Sequence, residues 1–281
     1  MMKQQLSEEL IRQFETNLFQ TEKSGATVEK YVRDARRFAA FCGGEAVTKD
    51  SVIAFKQDLL ARGYAVRSVN SMLAGVNRLL SFLGLHDFRV KTLKIQQQIF
   101  CPEERELTKD EYARLCRAAQ HRRNDRLNLI LQTICGTGIR VSELAFIDVD
   151  AVRRGAATVS LKGKTRTVFL VRDLQKKLLG YIRARGITAG PIFTTRAGRP
   201  LSRTEIWREM KSLCADAHVD PRKVFPHNLR HLFARVFYGI EKDIAKLADI
   251  LGHSSINTTR IYIVSTGAEH RHRMEKMRLI M

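Results

Sequence analysis

Four runs of apolar residues at three- and four-residue intervals fill roughly the first 98 positions and narrow the fold sharply. Leu6, Leu10, Ile11, Phe14 and Leu18 form one stripe. Val28, Tyr31, Val32, Ala35, Phe38, Ala39 and Cys42 form a second, with Thr27 as its expected N-cap. Val52, Phe55, Leu59 and Leu60 form a third, between Thr48 and Gly63. Val69, Met72, Leu73, Val76, Leu79, Leu80 and Leu83 form a fourth, closed by Gly84. Each stripe lies on one face of a helix, and four such helices bury their stripes as a small bundle. Their polar faces carry Lys30, Arg33, Arg36, Arg37, Lys56, Arg62, Arg67 and Arg78. Any one of these reads as a solvated side chain. Charge decides for the set: 49 Lys and Arg stand against 29 Asp and Glu, a formal +20. So large an excess without a basic tail points to a polyanion, with nucleic acid the commonest. Lys30, Arg33, Arg37, Arg67 and Arg78 are the expected phosphate contacts.

The helical pattern breaks after position 86, so residues 1–94 read as a helical domain, 95–106 as a linker and 107–281 as a second domain. The second domain opens on a capping box, Thr108 to Glu111, and carries another at Ser202 to Glu205. Residues 157–161 and 165–170 read as strands of a β-hairpin with Lys162-Gly163-Lys164 at its turn. Helices surround it, and residues 267–281 form a basic amphipathic tail. The fold class is mainly α with one small β-sheet.

The chemistry-bearing residues gather late in the chain. His227, Arg230 and His231 sit at i, i+3 and i+4, so one helix can aim them at one point. Arginine binds phosphate through a planar fork, histidine moves protons near neutral pH, and tyrosine can act as a nucleophile. Arg140 follows Gly138 at a helix start, where amides already favour anions, and Glu143 can reach back to hold its guanidinium. Two arginines can clamp the non-bridging oxygens of one phosphodiester. Lys162 and Lys164 read either as solvated turn residues or as a cation that protonates a leaving oxygen. His253 reads as a cap or core residue or as a site member, and Tyr262 as packing or nucleophile. His227 and His231 also match a two-histidine metal pair. Asn228 stands where a catalytic glutamate would follow, and Arg230 between the histidines repels a cation, so no metal is expected.

Taken together, Gly136-x-Gly-x-Arg-x-Ser-Glu-Leu144, His227-x-x-Arg-His231, Leu251-Gly-His253 and Tyr262 resemble the tyrosine recombinases, the phage integrase family that includes Xer-type resolvases. The resemblance implies a SAM-like helical core-binding domain and a mixed α/β catalytic domain. It implies a site of Arg140, Lys162, His227, Arg230 and His253 around the nucleophile Tyr262, supported by Glu143 and His231. The family hairpin often reads Gly-Lys-Gly-Asn-Lys-Glu-Arg. Here Leu161-Lys-Gly-Lys-Thr-Arg166 is one residue shorter, so the general acid is assigned to Lys162 with Lys164 as runner-up. The implied reaction is site-specific cutting and rejoining of DNA through a 3′-phosphotyrosine, without cofactor or small-molecule substrate. The implied partners are duplex DNA with inverted core half-sites and three further copies of the chain, docked through the tail. A type IB topoisomerase-like nicking enzyme and a non-catalytic DNA-binding regulator are the alternatives.

Other features set bounds. Five cysteines, odd in number and without a Cys-x-x-Cys, fit reduced thiols, with Cys116, Cys135 and Cys214 in apolar patterns. Met1 to Glu15 lacks the apolar stretch of a signal peptide, and no run approaches the ~20 apolar residues of a membrane span. A cytoplasmic, nucleoid-associated protein is the expectation.

Overall fold

The structure, a computed structural model, describes residues 5–95, 105–161, 163–262 and 275–277. The chain divides between Gln97 and Gln98 into two compact units. The expected linker, 95–106, falls mostly outside the described residues.

The first unit is a four-helix bundle of α1 (Glu8–Gln20), α2 (Gly25–Cys42), α3 (Lys49–Ala61) and α4 (Val66–Phe82). Its core is the apolar stripes: Phe14, Leu18, Ala35, Phe38, Val52, Leu73, Val76 and Leu79 are buried completely or almost so. Leu60, placed in the third stripe from sequence, is instead 40% exposed, because Leu59 already takes the inward position. Thr48 caps α3 through a reciprocal box with Ser51. The cap of α2 is Ser24, not Thr27. The backbone is already helical from Gly25, and the Thr27 hydroxyl lies 2.8 Å from that of Ser24. α2 and α4 pack closely at Gly75, where an added Cβ would stand 2.8 Å from a carboxylate oxygen of buried Asp34.

An extended segment after α4 is strapped back onto the bundle. The Asn77 side chain donates to the Val90 carbonyl and accepts its N–H, at 2.9 and 3.0 Å. Two turns earlier on the same face of α4, Asn70 does the same to Leu93, at 2.9 and 2.8 Å. Lys56 adds a bond to the Lys91 carbonyl at 3.0 Å. An asparagine side chain presents the same donor–acceptor pair as a peptide group, so each one pairs with an extended residue as a sheet neighbour would.

The second unit runs α5 (Lys109–His121), α6 (Asp125–Thr137), a 3₁₀ turn (Val141–Phe146), α7 (Val149–Arg154), β1 (Ala156–Leu161), β2 (Lys164–Phe169), α8 (Arg172–Arg185), α9 (Arg203–Ser212), α10 (Pro226–Glu241), α11 (Ile244–Leu251) and α12 (Ile256–Arg260). Both expected capping boxes are present, Thr108 with Glu111 and Ser202 with Glu205. The two strands pair antiparallel, Ala156 opposite Phe169 and Leu161 opposite Lys164. Lys164 therefore belongs to β2 and not to the turn, because it is paired with Leu161. Gly163 supplies the positive φ (+72°) that such a turn needs. Gly136 stays inside α6, so the chain turns only at Gly138, φ +65°. The four described cysteines carry free thiols, and burial pushes Cys135 up to about 12. Among the described residues, no helix is long and apolar enough to cross a membrane, and no three His, Cys, Asp or Glu residues group as a metal site.

Candidate active site

Three helix ends and the hairpin converge on one cleft. α10 starts at Pro226, and its first turns carry His227, Arg230 and His231. Proline fits at the first helical position because its missing N–H would be unpaired there anyway. α6 ends at Gly138, and α11 ends at Gly252 with φ +65°. Only a residue without Cβ fits at Gly138, where one would stand 2.4 Å from the Phe233 ring. These turns aim main-chain carbonyls at the arginines. Arg230 donates to the Gly138 carbonyl and, at 2.7 Å, to that of Leu251. Arg140 donates to the Gly252 carbonyl at 3.3 Å. Helix C-termini carry partial negative charge, so both guanidiniums are held by dipoles as well as by hydrogen bonds.

Arg230 is 1% exposed, and burial together with Arg140 pushes its pKa down to about 10. Its Nη2 also contacts His253 Nε2 at 2.9 Å. A guanidinium only donates, so Nε2 accepts here, and Nδ1 carries the proton toward Thr259 Oγ1, 2.8 Å away. His253 is thus neutral and acts on Arg230 as an acceptor. Burial first, then the Arg230 charge, holds it at about 4.

Tyr262 is 6% exposed, enclosed by histidines. Its hydroxyl lies 3.2 Å from His227 Nε2, and its ring stacks on His231 with centroids 4.2 Å apart. The face of the ring also lies 5.8 Å from the Arg230 guanidinium. The outer edge of His227 is open to solvent, yet enclosing atoms and then the charges of Arg230, Arg203 and Arg140 keep its pKa below the usual value. His231 is held at about 4 by burial and by its cationic neighbours.

Glu143 is 2% exposed and is shared. Oε1 accepts from Arg140 Nη1 at 2.8 Å, and Oε2 accepts the Arg140 main-chain N–H at 2.9 Å and Arg166 Nη2 at 2.5 Å. The amide at this helix start is therefore spent on Glu143, contrary to the expectation that it would favour an incoming anion. Arg140, Glu143, Arg166, Gly252 and His253 line a cleft of about 920 Å³.

Sequence reasoning gave Arg166 no role, although strand alternation marks it. It shares a face with Val168, which is 3% exposed, while Phe169 on the other face is 73% exposed. An arginine on the buried face of a strand needs a partner. Lys162 lies outside the described residues, as do residues 263–266 and, of the expected tail, 267–274 and 278–281.

The expected DNA contacts of the first unit divide. Arg33 and Arg67 are exposed and form no ion pair or hydrogen bond among the described residues. Arg37 lies 5.6 Å from the Tyr64 ring centroid, and Arg78 donates to Thr21 at 3.3 Å. Lys30 is neutralised by Asp34 at 2.8 Å. Of the other cations on these faces, Arg36 and Arg62 are paired with Glu8 and Asp58.

Two family models match this architecture. One, described as the phage integrase family, matches residues 105–269, and one described as the phage integrase N-terminal SAM-like domain matches residues 11–85. The chain belongs to the phage integrase family. Within it, the chain is similar to tyrosine recombinase XerA of Pyrococcus furiosus, 29% identical over 100% of this chain and 98% of that protein. It is 30% identical to XerA of Thermococcus kodakarensis over 97% of this chain and 96% of the other. Among solved structures, a XerA recombinase aligns with TM-score 0.55 and 24% identity, covering 97% of this chain and 99% of that one. A lambda integrase dimer bound to a COC′ core site aligns with TM-score 0.74 and 16% identity, covering 93% and 96%. This phage integrase family member is accordingly an enzyme of the tyrosine recombinase type, acting on DNA in site-specific recombination.

The histidine cluster makes the fold pH-sensitive in a stated direction. His231 and His253 have folded pKa values of about 4 against an ordinary 6.5. Between these values the unfolded chain binds more protons, so stability is complete above pH 6.5 and declines as pH falls toward 4. The Tm of the second unit's transition should drop from pH 7.5 to pH 5. The drop should be smaller in His231→Gln. A Tm that does not move across that interval contradicts the neutral cluster.

Proposed function

We propose that Tyr262 is the nucleophile and that it attacks a DNA phosphodiester. The observation that carries this is the Tyr262 hydroxyl at 3.2 Å from His227 Nε2 beside the buried Arg230, a nucleophile paired with a base in a cationic pocket. His227 accepts the phenolic proton, which its lowered pKa keeps possible at neutral pH. The tyrosine oxygen bonds to phosphorus as the bond to the 5′-oxygen breaks, and Lys162 protonates that oxygen, with Lys164 as the alternative donor. A 3′-phosphotyrosine results. A 5′-hydroxyl from another strand then attacks it, and the tyrosine leaves with its proton returned. The phosphodiester bond energy stays in the covalent link, so no nucleotide is consumed. Arg140 and Arg230 meet the charge on the non-bridging oxygens, the work a metal does elsewhere. His253 aims Arg230, Glu143 holds Arg140, and His231 braces the Tyr262 ring.

The substrate is duplex DNA with inverted core half-sites. Arg33, Arg37, Arg67 and Arg78 contribute phosphate contacts from the bundle, and Lys30 contributes less because Asp34 already neutralises it. Four copies act on two duplexes, the segment after Tyr262 docking on a neighbouring copy, and the site of action is the nucleoid.

The test is incubation with DNA flanking the encoding gene, then denaturation and mapping of protein-linked ends. Adducts at a discrete junction, on the 3′ side, are expected. Tight binding to a sequence that never yields an adduct would replace this reading with that of a non-catalytic regulator.

A further inference from the structure

We infer that Arg166 is a positioning residue of the strand-transfer site, acting through Glu143 to leave the Arg140 fork open to phosphate. The inference rests on the proposed reaction and extends it to a residue with no assigned role.

A buried carboxylate beside one arginine closes on it with both oxygens, because two parallel N–H to O bonds are the strongest geometry available to the pair. That grip would occupy the fork Arg140 needs for a non-bridging oxygen. Here Arg166 Nη2 takes Oε2 at 2.5 Å, together with the Arg140 main-chain N–H, and only Oε1 is left for the Arg140 side chain. Arg140 consequently makes one strong side-chain bond, and its side chain stays 39% exposed at the cleft. The charge balance follows the same logic. Glu143 alone would cancel Arg140. With Arg166 beside it, the three groups keep one net positive charge.

Three features hold Arg166 in place. Strand alternation points it inward beside Val168, and Val159 lies opposite it in the hairpin. Its stem crosses Gly252, where an added Cβ would stand 2.4 Å from Cδ and 2.5 Å from Nε. Gly252 is also the residue whose carbonyl accepts from Arg140. Burial lowers the pKa of Arg166, and the Glu143 carboxylate beside it opposes that shift.

A double-mutant cycle in the full chain separates this role from simple stabilisation. Single-turnover adduct formation is measured on the duplex that the flanking-DNA experiment identifies, with DNA affinity and Tm recorded alongside. Arg166→Ala should lower the adduct rate about 100-fold, the scale of a misplaced catalytic group, with affinity within about threefold. Glu143→Gln, which cannot clamp Arg140 with a charged fork, should make Arg166→Ala nearly silent when the two are combined. Arg166→Lys keeps the charge and should recover about tenfold over alanine, and it carries the test if the alanine variant does not fold. Losses that multiply in the double variant overturn the inference, as does a rate within about threefold of the parent in either single variant at position 166. A parent chain that forms no adduct at all instead refutes the underlying reaction.

Discussion

Replacing Tyr262 by phenylalanine should abolish covalent adduct formation while leaving DNA binding intact. The change removes one oxygen. The ring keeps its stack on His231, 4.2 Å between centroids, and its contact with Arg230, so the pocket has no reason to collapse. Among the described residues, no other hydroxyl lies within hydrogen-bond distance of His227 Nε2 to take its place. A rate loss beyond ~10⁴-fold is expected, as for removal of a covalent nucleophile. Gel shift on the same duplex should match the parent within about twofold. A denaturation-resistant protein–DNA species from Tyr262→Phe would remove Tyr262 from the mechanism.

Arg230→Lys should be nearly as damaging and should also cost stability. Arg230 serves the carbonyls of Gly138 and Leu251 and the Nε2 of His253. One ammonium on a shorter, unbranched head cannot reach all of them. Each buried acceptor left without a donor costs roughly 1–3 kcal/mol, which corresponds to a Tm lower by about 2–12 °C for a unit of this size. Adduct formation should fall about 10²–10³-fold, the usual loss when one fixed donor to a developing oxyanion is removed. An Arg230→Lys enzyme with parental rate would show that phosphate is held elsewhere.

The residues that sequence made readable are those whose surroundings repeat locally. Phe14, Phe38, Phe55 and Leu73 announce their helices because each turn returns the same face to the core. Thr108 and Glu111 mark a helix start because the capping bonds run over three residues. His227, Arg230 and His231 could be grouped for the same reason, being neighbours on one helix. α7 has no such signature. Its six residues fit inside two turns, too few to show a period, and Asp148 is its main cue. Arg166 was missed for a different reason. Its partner Glu143 is 23 positions away, and the pairing depends on the hairpin folding back against the 3₁₀ turn. The His253 tautomer belongs with it, since Thr259 and Arg230 set it from different elements.

The carbonyls of Gly138, Leu251 and Gly252 give the two arginines an unusual mutational profile. No substitution deletes a main-chain oxygen, so the acceptors persist through drift at those positions. The exposure to mutation shifts from the acceptors to the two left-handed glycines that present them. Gly138 and Gly252 should therefore tolerate almost nothing in a saturation screen, whereas Leu251 should accept other apolar residues that fill the same space.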